Sequence, residues 1–121
     1  MPVQSLTSIE ELNEMVATSN EKHVFLFKHS TRCPISVEAD RQYSLFVSEN
    51  DDRDDVVFTH LDLLNHRDVS NAIAEKLSIQ HQSPQAILLV RGAGVWNASH
   101  GNINQTTLSE ALARVETCDS V

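Results

Sequence analysis

Cys33 is the residue of this chain whose type and position are best suited to chemistry. It lies in the stretch His29–Ser36, which follows the apolar run Val24–Phe27 and opens a helical pattern. At a turn from a strand into a helix, unpaired backbone N–H groups and the helix dipole favour negative charge. A thiolate is stabilised in that environment, so we expect the thiol pKa to be lowered. The position therefore predicts a reactive cysteine.

The overall composition limits the kinds of partner that this protein can have. The chain has 121 residues, with 17 acidic residues against 9 Lys and Arg and a formal charge of -8. The length predicts a single domain, residues 1–121. The acidic balance argues against binding to nucleic acid or to a membrane surface, since both need a basic face. No stretch resembles a secretion signal or a membrane span, and we therefore expect a cytoplasmic protein.

Hydrophobic periodicity predicts the helices and strands that must position this cysteine. Thr7 and Glu10 have capping-box spacing ahead of an amphipathic helix that runs to about Ser19. The β-branched and aromatic run His23–Lys28 is too short for a helix and predicts a central strand buried on both faces. A second helix should begin at Pro34, because proline suits the first helical turn.

The rest of the chain continues this alternation of helix and strand. The remaining predicted features are an end of the second helix near Ser48, an acidic loop at 49–55, a strand at 56–62, a helix capped by Asn65 and ending near Leu77, a strand at 86–90, a turn at 91–94, a strand at 95–100 and a helix capped by Thr107 with Glu110. Strands joined through a helix should be parallel, and the last two, joined by a short turn, antiparallel. The order α-β-α-β-α-β-β-α predicts an α/β fold with a mixed four-stranded sheet and four helices.

This layout resembles the thioredoxin fold, in which a cysteine opens a helix after a central strand and a proline starts the later hairpin. The hexapeptide that contains Cys33 resembles, more narrowly, the monothiol bacilliredoxin (YtxJ-like) family, whose motif is Thr-x-Cys-Pro-Ile-Ser at this place. The matching residues are Thr31, Arg32, Cys33, Pro34, Ile35 and Ser36. The resemblance to the fold covers the whole chain.

The resemblance implies an oxidoreductase that removes bacillithiol from protein mixed disulfides. Cys33 would be the catalytic residue, which attacks the mixed disulfide, takes over the bacillithiol moiety and releases the client thiol. A second bacillithiol would then regenerate Cys33. Bacillithiol is thus implied as co-substrate with no tightly bound cofactor, and the implied partners are bacillithiolated proteins and the system that reduces bacillithiol.

Three positions differ from the pattern of ordinary thioredoxins. Ser36 stands where a dithiol oxidoreductase carries its resolving cysteine, and Arg32 replaces a tryptophan. Phe27 lies roughly where a buried aspartate would accept a proton. These differences fit a monothiol cycle and argue against general disulfide reduction.

The same resemblance implies a substrate groove opposite Cys33. Pro84 would be a cis-proline, so that the backbone of Ser83 is turned toward the substrate disulfide. His100 and Gly101 follow the returning strand at the same end of the sheet. Gly101 would allow close approach of backbone or ligand, and a plain turn glycine is the alternative. Lys28, Arg32 and His100 are candidates to surround the thiol, and Arg32 could meet the malate carboxylates of bacillithiol.

Two other functions stay open at this point. An iron-sulfur carrier of monothiol glutaredoxin type also uses one cysteine followed by serine, although Pro34 and Ile35 differ from its motif. A non-catalytic interaction domain on the thioredoxin scaffold is the third possibility, because a fold does not determine function. The six histidines form no His-x-x-x-His pair and there is no Cys-x-x-Cys pair, so no metal site is predicted.

Oxidation of the wild-type protein should not produce a disulfide between Cys33 and Cys118. The last strand is expected to return toward the Cys33 end of the sheet and the last helix to run away from it, which separates the two thiols. Alkylation before and after reduction, followed by mass spectrometry of the intact protein, checks this. Quantitative formation of the monomeric disulfide would contradict the predicted topology.

Overall fold

A computed structural model describes residues 3–29, 34–62 and 64–119, and the side chains of residue 35 and residues 116–119 lie outside this description. Within these ranges the chain forms five strands, four α-helices and one 3₁₀ turn. In chain order they are β1 (Val3–Ser5), α1 (Ile9–Thr18), β2 (His23–His29), α2 (Pro34–Glu49), β3 (Val56–Asp62), α3 (Arg67–Leu77), β4 (Gln85–Val90), β5 (Ala93–Ser99), the 3₁₀ turn (His100–Asn102) and α4 (Gln105–Asp119).

The strands form one mixed sheet in the order β1-β3-β2-β4-β5. β2 pairs parallel with β3 and antiparallel with β4, and β4 pairs antiparallel with β5. The predicted parallel direction of β2 and β3 and the antiparallel direction of β4 and β5 are confirmed. The prediction is wrong for β3 and β4, which are also joined through a helix but run in opposite directions. The predicted number of four strands is wrong, because β1 adds parallel to the free edge of β3, with Val3 opposite Phe58. Three residues are too few to show a periodic pattern in sequence.

β2 is the central strand, and hydrophobic clusters cover both of its faces. Phe25 and Phe27 belong to the cluster beneath α2 and α4, whereas Val24 and Leu26 belong to the cluster beneath α1 and α3. All four side chains are fully buried. Successive side chains of a strand point to opposite faces, so an uninterrupted apolar run is what a strand covered on both sides requires. The prediction of a doubly buried strand at this place is confirmed.

Three of the predicted helix starts are shifted along the chain. Ser8, rather than Thr7, caps α1 and accepts from Glu11 N at 3.1 Å. Asn104, rather than Thr107, caps α4, since its Oδ1 accepts from Thr107 N at 3.0 Å. Neighbouring Ser, Thr and Asn residues offer equivalent side-chain oxygens, and only the packed position of the helix selects among them.

The third shifted start belongs to α3. This helix begins at Arg67, and its N-cap position, His66, makes no side-chain capping bond. The predicted cap, Asn65, instead donates from Nδ2 to Asp62 Oδ2 at 2.8 Å and stabilises the turn that follows β3. A hydrogen bond within the preceding turn therefore replaces the capping bond that asparagine favours.

The turn between β4 and β5 is shorter than predicted. Arg91 has φ 51° and Gly92 has φ 79°, and two central residues with positive φ are the requirement of a tight two-residue hairpin turn. β5 therefore already begins at Ala93 and ends at Ser99. His100, predicted as the last strand residue, opens the 3₁₀ turn with φ 55°.

None of the helices in the described part of the chain is long and apolar enough to cross a membrane.

Replacing Phe25 with Ala should cost about 3–5 kcal/mol of unfolding free energy. The Phe25 ring is fully buried and packs edge-on against Phe46, with a centroid distance of 5.3 Å, and stacks on Phe58 at 5.8 Å. Urea unfolding measures the loss. Val37→Ala is the matched control, since Val37 is 61% exposed on α2 and its truncation should change stability by less than about 0.5 kcal/mol. Equal effects of the two substitutions would contradict the assigned core.

Candidate active site

The end of β2 is the place where the elements of the predicted site converge. β2 and β3 run parallel and end at the same edge of the sheet, with His29 opposite Asp62. The antiparallel β4 begins there, with Gln85 opposite Lys28, and β5 ends there, with Ser99 opposite Gln85. The segments before α2, before β4 and after β5 therefore all reach this edge.

The predicted nucleophile lies in the connection that joins β2 to α2 at this edge. Cys33 directly precedes Pro34, the first residue of α2. Cys33, Thr31 and Arg32 themselves lie outside the described residues, so the predictions that fall on them stay predictions. Pro34 and Ile35 are in the first turn of α2, as predicted. Ser36 follows in the same turn and is 1% exposed.

The predicted cis-proline is present directly before β4. The Ser83–Pro84 peptide bond is cis, as the resemblance to the thioredoxin fold implied. The backbone N–H of His100 donates to Pro84 O at 3.1 Å. This hydrogen bond joins the segment before β4 to the 3₁₀ turn after β5, so the structure brings Pro84 and His100 together.

A groove of about 430 Å³ runs between the first turns of α2 and the segment that leads into α4. It combines apolar side chains with amide, imidazole and carboxylate groups. Its lining residues are Pro34, Glu38, Ala39, Gln42, His100, Gly101, Ile103 and Asn104. The sequence-predicted residues Pro34, His100 and Gly101 therefore share one groove. A Cβ at Gly101 would meet no atom of the described residues within 4 Å, so no close approach of backbone from these residues requires glycine there, and the approach of a ligand stays a prediction.

Glu38 and Gln42 form a bonded network on the α2 wall of this groove. Arg41 donates to the Glu38 carboxylate from Nε at 3.0 Å and from Nη2 at 2.8 Å, and Gln42 Nε2 donates to it at 3.0 Å. These donors lower the pKa of Glu38, so the carboxylate is charged and paired at neutral pH. Gln42 Oε1 also accepts from Gln105 N at 3.1 Å, which explains why a polar residue interrupts the apolar face of α2.

Lys28 is buried on the side of the sheet covered by α1 and α3, where its side chain shares a strand face with Val24 and Leu26. Because Cys33 lies outside the described residues, the prediction that Lys28 lies near the thiol stays a prediction. Lys28 is 0% exposed, and its Nζ lies 3.4 Å from Ser70 O and 3.2 Å from His81 Nδ1. Neither partner is anionic, and burial lowers the pKa of Lys28 to about 8.

Lys28 supports the segment that leads to the cis-proline. His81 Nδ1 also lies 3.3 Å from Ser70 Oγ, so Lys28, Ser70 and His81 join β2, α3 and this segment. Gln85 adds a bond from Nε2 to Gln80 O at 3.1 Å. Sequence analysis missed this cluster. A lysine within an otherwise apolar strand was the available signal, since an unpaired buried charge needs polar partners.

Two histidines on the α2 side of the sheet form a second polar cluster that sequence analysis missed. His29 ends β2 and is 7% exposed, and its Nε2 is hydrogen-bonded to Nε2 of His60 in β3. Neither residue is among the candidate site residues predicted from the sequence. The two lie 31 positions apart, and only the parallel pairing of β2 with β3 brings them together.

No group of three or more His, Cys, Asp or Glu residues among the described residues is placed to hold a metal ion.

Comparison with known proteins places this geometry in a family. A family model described as monothiol bacilliredoxin BrxC matches residues 4–108. A solved structure of a protein proposed to be an oxidoreductase with a thioredoxin fold is 37% identical, with a TM-score of 0.82 over 92% of this chain and 94% of that chain.

Two thioredoxins show the same fold at lower identity. Thioredoxin of Fasciola hepatica is 17% identical, with a TM-score of 0.72 over 92% of this chain and 97% of its own. Thioredoxin of Trypanosoma brucei brucei is also 17% identical, with a TM-score of 0.73 over 95% of this chain and 91% of its own. The chain therefore has the thioredoxin fold.

Replacing Lys28 with Met should change the pH dependence of stability. The lysine pKa is about 8 in the folded protein against an ordinary 10.5, so between these values the unfolded chain binds a proton that the folded protein lacks. Wild-type stability should therefore rise through this window relative to a variant that cannot titrate. From pH 7 to pH 10 we expect the difference in unfolding free energy, wild type minus Lys28→Met, to rise by about 1–3 kcal/mol.

Urea unfolding at both pH values measures this difference. Lys76→Met is the matched control, because Lys76 is exposed near the end of α3 and its loss should leave the pH dependence unchanged. A difference for Lys28→Met that stays flat or falls as the pH rises would show that the amine is not held at a lowered pKa.

Proposed function

We propose, from the premise that this chain belongs to the monothiol bacilliredoxin family, that it removes bacillithiol from protein mixed disulfides through Cys33. A thiol oxidoreductase activity follows from the family and the fold. The specific substrate, the catalytic cysteine and the partners are our proposal. The observation that carries it is the sequence Cys33-Pro34-Ile35-Ser36 at the start of α2, with serine in the position of a resolving thiol.

The reaction consists of two thiol-disulfide exchanges. In the first, the Cys33 thiolate attacks the bacillithiol sulfur of the mixed disulfide. A bond forms between Cys33 Sγ and that sulfur, the bond between bacillithiol and the client sulfur breaks, and the client leaves as a thiolate. In the second, the thiolate of another bacillithiol attacks the bacillithiol sulfur held on Cys33. Oxidised bacillithiol forms and the Cys33 thiolate is restored, so each exchange conserves electrons.

Two residues support a cycle that depends on this second small thiol. Ser36 is buried in the first turn of α2 and cannot form a disulfide with Cys33. Phe27 is fully buried under α2, and by the resemblance to thioredoxins it stands roughly where those proteins carry a proton-accepting aspartate. The mixed disulfide on Cys33 therefore persists until an external thiol attacks it.

The groove beside Pro34 is the proposed site for the non-reacting part of bacillithiol. Its volume of about 430 Å³ suits a molecule of small-ligand size. Pro34, Ala39 and Ile103 offer apolar surface, while His100 and Asn104 offer hydrogen-bonding groups for the sugar and malate. Arg32, next to Cys33 in the sequence, is proposed to pair with the malate carboxylates.

The proposed partners follow from this chemistry. Bacillithiolated proteins would present the mixed disulfide, with the Ser83 backbone and Pro84 forming the opposite wall of the site. A bacillithiol-reducing system would recycle oxidised bacillithiol. Both belong to a reducing compartment, so we propose a cytoplasmic location; the proposal includes no tightly bound cofactor and no metal.

Cys33→Ser should lose debacillithiolation activity completely, whereas Cys118→Ser should keep it. Cys118 is in the last turn of α4, and at 1.5 Å per residue its backbone lies about 20 Å along the helix axis from Gln105, which borders the groove. Release of free thiol from a bacillithiolated model protein, with bacillithiol present, measures the activity. Retention of activity in Cys33→Ser would refute the catalytic assignment.

Exposure of the purified protein to oxidised bacillithiol provides the direct readout of the intermediate. Peptide mass spectrometry should find one bacillithiol adduct on Cys33 and none on Cys118. Parallel exposure to oxidised glutathione tests the choice of small thiol. Anaerobic reconstitution with iron and sulfide separates the carrier alternative, because a stable coloured cluster together with absent exchange activity would favour a carrier over an oxidoreductase.

A further inference from the structure

Three buried polar side chains converge on the segment that precedes β4. Lys28, Ser70 and Gln85 come from β2, α3 and β4, and each is no more than 2% exposed. Lys28 and Gln85 are opposite each other in the pairing of β2 with β4, so their side chains share one face of the sheet. Burial of polar groups costs free energy unless they are hydrogen-bonded, and each of these three has a partner among residues 80–82.

The contacts of Lys28 and Ser70 meet at His81. Lys28 Nζ lies 3.2 Å from His81 Nδ1, and Ser70 Oγ lies 3.3 Å from the same nitrogen. An ammonium group can only donate, so we assign Nδ1 as the acceptor and place the ring proton on Nε2. Lys28 Nζ also donates to Ser70 O at 3.4 Å. The lysine therefore joins the segment before β4 to α3.

Gln85 binds the residues on either side of His81. Its Nε2 donates to Gln80 O at 3.1 Å, and its Oε1 accepts from Gln82 N at 3.4 Å. Three consecutive residues are thus bonded to buried side chains from other elements. This segment leads directly into Pro84, so the same bonds hold the chain where it enters β4.

A further hydrogen bond connects this segment to the groove beside Pro34. His100 N donates to Pro84 O at 3.1 Å, and His100 is one of the residues that line the groove. Lys28 is not a lining residue, since it is buried on the side of the sheet covered by α1 and α3. Its described contacts reach the groove through His81, Pro84 and His100.

Stability alone does not account for a lysine at this position. The hydrophobic cluster on this side of the sheet includes Val24 and Leu26, and the contacts of the Lys28 ammonium are a carbonyl and an imidazole. Apolar residues of similar volume often replace buried charged groups without loss of stability. A lysine differs from such a residue in its directed donors, which fix the position of the segment that they bind.

We propose that Lys28 is a positioning residue for the groove: it holds residues 80–84 through His81, and it holds the turn that lines the groove through the hydrogen bond from His100 to Pro84. This inference rests on the function proposed above, in which the groove binds the non-reacting part of bacillithiol. Without the lysine contact the turn at His100 samples more positions, and the groove binds bacillithiol less tightly. The reactivity of the cysteine toward small reagents is unchanged.

Hydrogen exchange of the His100 amide, followed by NMR, measures this coupling without any ligand. In Lys28→Met and in His81→Ala we expect this amide to exchange about 3- to 10-fold faster than in the wild type, because hydrogen bonds that stabilise the segment are lost. The reference is the Arg91 amide, which donates to Ser19 O at 2.8 Å at the other end of β4. Its exchange rate should stay the same.

Two features of the variants make this test decisive. His81 is exposed, so His81→Ala tests the coupling even where Lys28→Met folds poorly. Gln80→Ala is the matched control, since Gln80 is also exposed and keeps the backbone carbonyl that Gln85 binds. Equal acceleration of the His100 and Arg91 amides in His81→Ala, or acceleration of neither, would overturn the proposal.

Kinetics of the same variants separate binding from chemistry. The KM for a bacillithiolated model protein should rise about 3- to 10-fold with little change in kcat, since the lost interaction is equal in the ground and transition states. Alkylation of Cys33 by iodoacetamide, a reagent too small to need the groove, should keep its wild-type rate. Alkylation of Lys28→Met that is slowed as much as debacillithiolation would show a direct effect on the thiol and would overturn the positioning role.

The double variant tests whether Lys28 acts through His81. Because both substitutions remove the same contact, Lys28→Met with His81→Ala should raise the KM no further than the more affected single variant. Additive increases would contradict the assigned route. If the His100 amide responds as expected but the wild-type protein shows no debacillithiolation, the proposed substrate fails while the positioning role of Lys28 stands.

Discussion

Burial of β2 on both faces is the constraint on which the rest of this structure depends. Phe25 and Phe27 on one face and Val24 and Leu26 on the other are fully buried, so helices must cover both sides of the sheet. α1 and α2 connect parallel strands, α3 connects β3 to the antiparallel β4, and α4 follows β5. The same burial holds the end of β2 in place, and this end is where the connection that contains Cys33 begins.

The two polar residues at the end of β2 are buried and have polar partners. Lys28 and His29 point to opposite faces, and each is bonded to a group from another element: Lys28 to Ser70 and His81, and His29 to His60. Lys28 contributes to holding the segment that carries the cis-proline, while His29 belongs to the side covered by α2. The partners of these two neighbouring residues therefore lie on opposite sides of the sheet, because consecutive side chains of a strand alternate between faces.

The groove has walls of different origin. The α2 wall is ordered by the bonds that Glu38 accepts from Arg41 and Gln42, and the other wall is ordered by the bond from His100 N to Pro84 O. A monothiol cycle has no internal second thiol, so an external small thiol must attack the mixed disulfide. The protein therefore needs a site that binds a small thiol. A groove beside Pro34 and a buried Ser36 are consistent with that requirement.

The sequence by itself determined the order of α-helices and strands from α1 to α4, the doubly buried strand, the first turn of α2 at Pro34 and the family motif, because each of these is encoded by residues close together in the chain. The strand β1 and the helix caps at Ser8 and Asn104 were decided only by tertiary structure, since short segments and neighbouring polar residues are locally equivalent. The pairing of His29 with His60 and the partners of Lys28 likewise required the folded chain. They join residues from separate elements, and only the register of β2 with β3 and the packing of α3 on the sheet bring these atoms within hydrogen-bond distance.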